Sequence, residues 1–182
     1  SQPNYVALLS GSSVGVDGNE CLGRPIQRDN LANLLIGKFG EDGFATFSEF
    51  LPKRGFTGCK TDKSYFRKHN PVVNWQGEGF RGAVPTAANR PFSEFPADLA
   101  QLPRVSFVIP SQDNDMHDGE SKAAEQRADA WLKRHLRRYV AWAMERNGLL
   151  VVTWDEDDSS ADNHIPMIFV GPMVRPGGRH DE

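Results

Sequence analysis

The chain has 182 residues, a hydrophobic fraction of 38%, a charged fraction of 25% and a formal net charge of −3. That is enough chain to bury a real core, in the proportions of an ordinary globular domain. The slight acidity gives no support for nucleic-acid binding, which needs a basic patch. No apolar run approaches the ~20 residues that span a bilayer.

In chain order, Tyr5–Ser10 is a short apolar run leading into Gly11, and it predicts a buried strand entering a loop. Asn30–Phe39 predicts a short helix, with Asn30 as cap and Gly40 as stop. Ala45–Phe50 predicts a further helical turn. From Pro52 to Arg104 the chain is rich in Gly, Pro and Asn and predicts long loops, a common setting for function. Arg104–Ile109 predicts a strand ended by Pro110. Ser121–Asn147 is the strongest helix signal: Ala128, Trp131, Leu132, Leu136, Tyr139, Val140 and Ala143 recur at helical spacing, and Asn147-Gly148 stops it. Leu149–Trp154 and Pro166–Val170 are continuous apolar strands. Strand, helix, strand with such runs predicts a parallel sheet covered on both faces, in a single domain.

In open α/β sheets ligands gather beyond the carboxyl ends of the strands. The polar clusters fall there. Pro110–Gly119 (PSQDNDMHDG) follows one strand; Asp155-Glu156-Asp157-Asp158, then Asn163-His164, follow another. Lys68-His69-Asn70-Pro71 lies in the loop-rich middle, and Ser1-Gln2-Pro3-Asn4 precedes the first apolar run. Adjacent carboxylates repel unless a cation or donors compensate, and carboxylate with imidazole suits a divalent transition metal. The acidic run could equally be a solvated turn. It lacks the glycine and the flanking helix of an EF-hand, which is excluded. His135 reads as structural and His180 as part of a solvated tail. Cys21 and Cys59 are either independent thiols or a disulfide between two loops of a secreted protein.

The segments HNPVVNW, IPSQDNDMHDG and LLVVTWDEDD…NHIPMIFVGPMVRPG, with the opening SQPNYVALLSG, resemble the phosphoesterase family of acid phosphatases and phospholipases C, within the alkaline phosphatase superfamily. The resemblance covers nearly the whole chain and is weakest from Gly77 to Pro103. It implies an α/β/α sandwich with a mostly parallel central sheet. It also implies metal-dependent hydrolysis of small-molecule or lipid phosphate esters through a phosphorylated serine. Ser1 would be the nucleophile and Asn4 a ligand of a phosphoryl oxygen. His69 and His117 would contact the phosphate or protonate the leaving group. Asp155 and Glu156 would hold a divalent metal ion, with His164 and Asp113 as further candidates, Asp113 and His117 resembling a D-x-x-x-H metal pair. The family carries further metal ligands upstream of its nucleophile and continues beyond VRPGG, so the resemblance implies a catalytic domain incomplete at both ends. A phospholipase C-type phosphodiesterase and a non-catalytic relic of the fold are the alternatives.

Overall fold

The structure is a computed structural model that describes residues 1–118, 121–157 and 162–177. Asp158, Ser159 and His180 lie outside the described residues. The chain divides into two compact units, Ser1–Gly119 and Glu120–Glu182.

The first unit opens with α1 (Gln2–Ser10), a helix where the apolar run predicted a strand. Short apolar runs do not distinguish the two by periodicity; the punctuation around them does. Ser1 stands at the N-cap, Pro3 falls in the first turn, and Gly11 closes the helix at φ 75°, its N–H bonded to the Ala7 carbonyl. Gln2, Val6 and Leu9 are buried at helical spacing while Leu8 faces out. α2 (Leu31–Phe39) forms as its signals require: the Asn30 side chain accepts from the Asn33 N–H and Asn33 returns the bond.

β1 (Phe44–Ser48) occupies the stretch that predicted a helical turn. Five residues are too few for a stable helix turn to compete with two flanking ladders. β1 pairs in parallel with β2 (Asn89–Pro91) on one side and β3 (Val105–Ile109) on the other, giving the order β2-β1-β3. As the central strand of a parallel sheet it is buried at every position. Phe44 joins Val6, Leu9, Ala32, Val72, Val73 and Trp75 in the core on one face. Phe47 meets Phe95 edge-on, ring centroids 5.3 Å apart. Gly43 permits the entry into β1, since a Cβ there would lie 2.3 Å from the Leu35 carbonyl oxygen.

The loop-rich middle is built from short 3-10 turns, among them Arg67–His69 and Pro71–Trp75. Buried amides hold it to the sheet. Asn70 Nδ2 donates to Asn89 Oδ1 (2.9 Å), Asn89 Nδ2 to Gln76 Oε1 (2.9 Å), and Gln76 Nε2 to the Gly55 carbonyl (2.7 Å). In a dry interior such bonds fix one conformation, because leaving any member unpaired is costly. A Cys21–Cys59 disulfide (S–S 2.04 Å) ties the loop after α1 to this region.

In the second unit α3 (Lys122–Arg146) runs from the Ser121 cap to Asn147, which turns at φ 57°. It buries Ala124, Ala128, Trp131, Leu136 and Ala143, four of them on the face the spacing predicted, while Leu132, Tyr139 and Val140 of that face are half-buried. β4 (Leu150–Thr153) pairs antiparallel with β5 (Met167–Val170), Leu150 opposite Val170 and Thr153 opposite Met167. The apolar runs implied parallel strands throughout; within this unit the two late strands pair antiparallel instead. Val151, Ile168 and Phe169 are 42, 50 and 47% exposed, so apolar continuity here does not mark burial on both faces. The chain is mixed α/β with a parallel three-stranded sheet, consistent with part of an α/β/α arrangement.

Candidate active site

β1 and β3 run in parallel and end together, Ser48 beside Ile109. Glu49, the residue after β1, organises the loop that leaves β3. Its Oε2 accepts from the Ser111 N–H (2.9 Å) and from Asn114 Nδ2 (2.9 Å), and its own N–H donates to the Ile109 carbonyl. The 110–118 loop therefore folds back on itself, with the Asn114 and Asp115 N–H groups both bonded to the Ser111 carbonyl. Met116 sits at φ 74°, a left-handed conformation uncommon outside glycine, and the turn it makes presents His117.

Two imidazoles meet at this loop. His69, 6% exposed at the end of its 3-10 turn, lies 5.2 Å from His117 between ring centroids. Each is anchored through Nδ1 by an aspartate of the loop: His69 to Asp115 Oδ2 at 3.2 Å, His117 to Asp118 Oδ1 at 2.8 Å. A carboxylate accepts, so in His117 Nδ1 carries the proton; His69 meets Asp115 as an ion-pair contact, with Nε2 its other ring nitrogen. No protein group among the described residues hydrogen-bonds Nε2 of His69. His117 Nε2 accepts from the Lys68 ammonium at 2.8 Å. Asp115 also accepts the His117 N–H (2.8 Å), coupling the two pairs. The His117 hydrogen bond, then that from Gln112, holds the Asp118 carboxyl below its usual range.

Ser1 and Asn4 share the first turn of α1, and the Asn4 N–H bonds to the Ser1 carbonyl (3.1 Å). Helix starts expose unpaired N–H groups and favour anions. Tyr5, one residue on, places its ring 6.0 Å from that of His69, so α1's first turn packs beside the histidine. Asp113 is exposed on the 110–118 loop.

The remaining predicted residues belong to the second unit. Asp155 and Glu156 follow β4 after Trp154, and Asp157 and Asn163 bond each other's side-chain oxygens through their N–H groups at 3.3 and 2.9 Å. His164 is exposed just beyond. Among the described residues no three His, Cys, Asp or Glu side chains converge as a metal cluster. The oxygen donors of Asp155 and Glu156 are the kind a hard divalent cation takes.

Sequence reasoning passed over Asp115, Asp118, Lys68 and Glu49 as separate actors. Three of them border the histidines in sequence, a usable signal; Glu49 had none, being read as part of a helical turn.

The comparisons with known proteins bear on this arrangement. The family model described as Phosphoesterase family matches residues 1–182. The chain belongs to the phosphoesterase family. It is 47% identical over 180 residues to a phosphatidylinositol-3-phosphatase of Mycobacterium tuberculosis, covering 97% of this chain and 56% of that protein. It is 30% identical to a phosphate-repressible acid phosphatase of Penicillium chrysogenum, covering 96% of this chain and 42% of the relative. An acid phosphatase of Aspergillus fumigatus is 28% identical, with 96% and 40% covered. This phosphoesterase chain thus spans about half the length of the curated relatives it matches. No solved structure matches it. No helix among the described residues is long and apolar enough to cross a membrane.

Proposed function

We propose that this chain forms part of the catalytic domain of a phosphoric ester hydrolase that works through a phosphorylated Ser1. The observation that carries the reading is the pair of aspartate-anchored imidazoles, His69 and His117, at the carboxyl end of the parallel sheet beside the first turn of α1.

In the first step Ser1 Oγ attacks phosphorus, the P–O bond to the leaving group breaks, and the departing oxygen takes a proton. In the second, water attacks the phosphoserine, phosphate leaves and Ser1 regains its proton. Both steps pass through charge spread over the phosphoryl oxygens, and fixed donors aimed at them lower the barrier. Nε2 of His69, a protonated imidazole when charged, and the amide of Asn4 are such donors. The Asp115 and Asp118 carboxylates keep the rings from rotating, so these donors need little reorganisation. His117, Lys68 and Asp118 form a line along which a proton can reach the leaving oxygen. Within the second unit Asp155 and Glu156, with His164 as a further donor, would hold a divalent ion, and Asp113 of the first unit is a separate candidate donor. A bound divalent ion would supply charge that favours a serine alkoxide and neutralises phosphoryl oxygens.

The names of the relatives all denote phosphatases, which supports monoester rather than diester substrates, soluble or lipid-borne. The disulfide supports an oxidising, extracytoplasmic location. The test uses the full-length protein with p-nitrophenyl phosphate and bis(p-nitrophenyl) phosphate. The monoester is expected to turn over far faster, and Ser1→Ala to remove turnover while phosphate still binds. Substantial turnover by Ser1→Ala would sink the serine mechanism.

A further inference from the structure

Lys68 is the middle residue of the Arg67–His69 turn, between neighbours that are 8% and 6% exposed. Arg67 anchors the turn. Its N–H donates to the Cys59 carbonyl (2.9 Å), its Nη1 to the Thr57 carbonyl (3.1 Å) and its Nη2 to Asn74 Oδ1 (3.1 Å), all of them neutral partners. Arg67 Nε is buried with no hydrogen-bond partner. The backbone beneath Lys68 is fixed by these contacts and by the buried His69 on its other side.

A surface lysine normally leaves its ammonium in water and keeps its rotamer freedom. This one is half-buried, and its Nζ lies 2.8 Å from His117 Nε2 and 6.0 Å from the centre of the Phe66 ring. An ammonium has three N–H groups and no lone pair, so the imidazole nitrogen accepts. Among the described residues His117 is the hydrogen-bond partner of this ammonium, and no carboxylate forms an ion pair with it. The Asp118 carboxyl, held low first by His117 and then by Gln112, also feels the Lys68 charge.

Both nitrogens of His117 are thereby engaged, Nδ1 by Asp118 Oδ1 and Nε2 by Lys68. Its ring has no N–H left to give a substrate, whereas the ammonium beyond it keeps donors to spare. Lys68 also lies beside the start of α1. It lines one cavity of about 160 Å³ with Gln2, the residue after the proposed nucleophile, and with Arg67 and the Cys21–Cys59 disulfide.

We propose that Lys68 is a catalytic residue whose ammonium touches the phosphoryl oxygens of the substrate, and that His117 and Asp118 are positioning residues that act through it. The inference rests on the functional reading above and moves His117 from contact to support. An ammonium already held against a ring loses little freedom when the anion arrives, and its charge-assisted bonds are about twice as strong as neutral ones.

The test exchanges each side chain for glutamine in the full-length protein. Lys68→Gln keeps an N–H for His117 and removes the charge. His117→Gln keeps an oxygen that can accept from Lys68 and removes the imidazole. With p-nitrophenyl phosphate, Lys68→Gln is expected to lower kcat/KM about 10- to 100-fold and His117→Gln about 5-fold, both variants being folded by circular dichroism. Lys68→Gln within about 3-fold of wild type, or His117→Gln at least as damaging as Lys68→Gln, would overturn the inference. A second measurement leaves both residues in place. In the Ser1→Ala protein, saturating inorganic phosphate is expected to slow acetylation of Lys68 about 10-fold, read by peptide mass spectrometry, and to leave the exposed Lys63 unchanged. Lys68 acetylated at the same rate with and without phosphate would overturn the inference as well. If the wild type hydrolyses no monoester, the functional reading fails, while the acetylation rates still decide whether Lys68 meets phosphate.

Discussion

Breaking the Cys21–Cys59 bridge should cost much of the stability of the first unit. The bridge closes a loop with a sequence separation of 38. Loop-closure entropy for a ring of that size is about −13 cal/mol/K, or about 4 kcal/mol at 25 °C. For a chain of this size that corresponds to a fall in Tm of about 8–15 °C. The perturbation is Cys21→Ser with Cys59→Ser, and the assay is thermal and urea unfolding of the full-length protein beside the wild type, oxidised and reduced. Reduced wild type should melt with the double variant. The loss should also reach the Arg67 cavity, because Cys21 and Cys59 form part of its wall. A change in Tm under ~2 °C, with the bridge shown to be absent, would refute the reasoning. The 11–29 segment would then be held by its noncovalent contacts alone, led by those from Gln2 to Gly18, Asn19 and Glu20.

Further expectations concern protons and ligands. Burial pushes the Tyr65 hydroxyl up to about 12, against the smaller opposing effect of its Asn70 hydrogen bond. The unfolded chain releases that proton near pH 10 while the folded chain keeps it. Stability should therefore fall by ~1.4 kcal/mol per unit between about pH 10 and 12, and Tyr65→Phe should remove that slope in urea titrations. Asp115→Asn weakens the bond that orients His69; at ~1.5–3 kcal/mol this predicts a fall in kcat of about 10- to 150-fold. In a His69→Ala background the same change should add little, and an equally large further loss would contradict the coupling. Chelation should remove activity reversibly, and Asp155→Asn should raise the metal concentration needed to restore it. Activity indifferent to chelators would end the metal proposal.

Much of this was legible because the signals were local. Asn30 and Ser121 mark helix starts by side-chain caps, Gly40 and Asn147 mark helix ends by adopting positive φ, and α2 and α3 begin and end there. The failures were stretches whose state is decided by distant partners. Tyr5–Ser10 is apolar enough for a strand, but its residues pack on the 71–75 turn and α2, and Ser1, Pro3 and Gly11 set it as a helix. Phe44–Ser48 becomes a strand because β2 and β3, far along the chain, pair with both its edges. Leu149–Trp154 carries the composition of a buried parallel strand, yet β5 comes soon enough in the chain to pair with it antiparallel. In the candidate site the histidines stood out in sequence as chemistry-bearing residues. Their anchors stood beside His117 in the chain, but which carboxylate meets which ring is set only when the Met116 turn and the Glu49 carboxylate shape the loop. Arg67 was one basic residue among many until its burial without a carboxylate became visible.

The central claim is that Ser1 is the atom donor to phosphorus. The most direct measurement is a rapid acid quench of the full-length protein mixed with a phosphate monoester, with peptide mass spectrometry of the quenched samples. A peptide carrying phosphate on Ser1, formed within one turnover and lost on further incubation, is the predicted result. Continued turnover with no phosphate on Ser1 at any quench time would contradict the account.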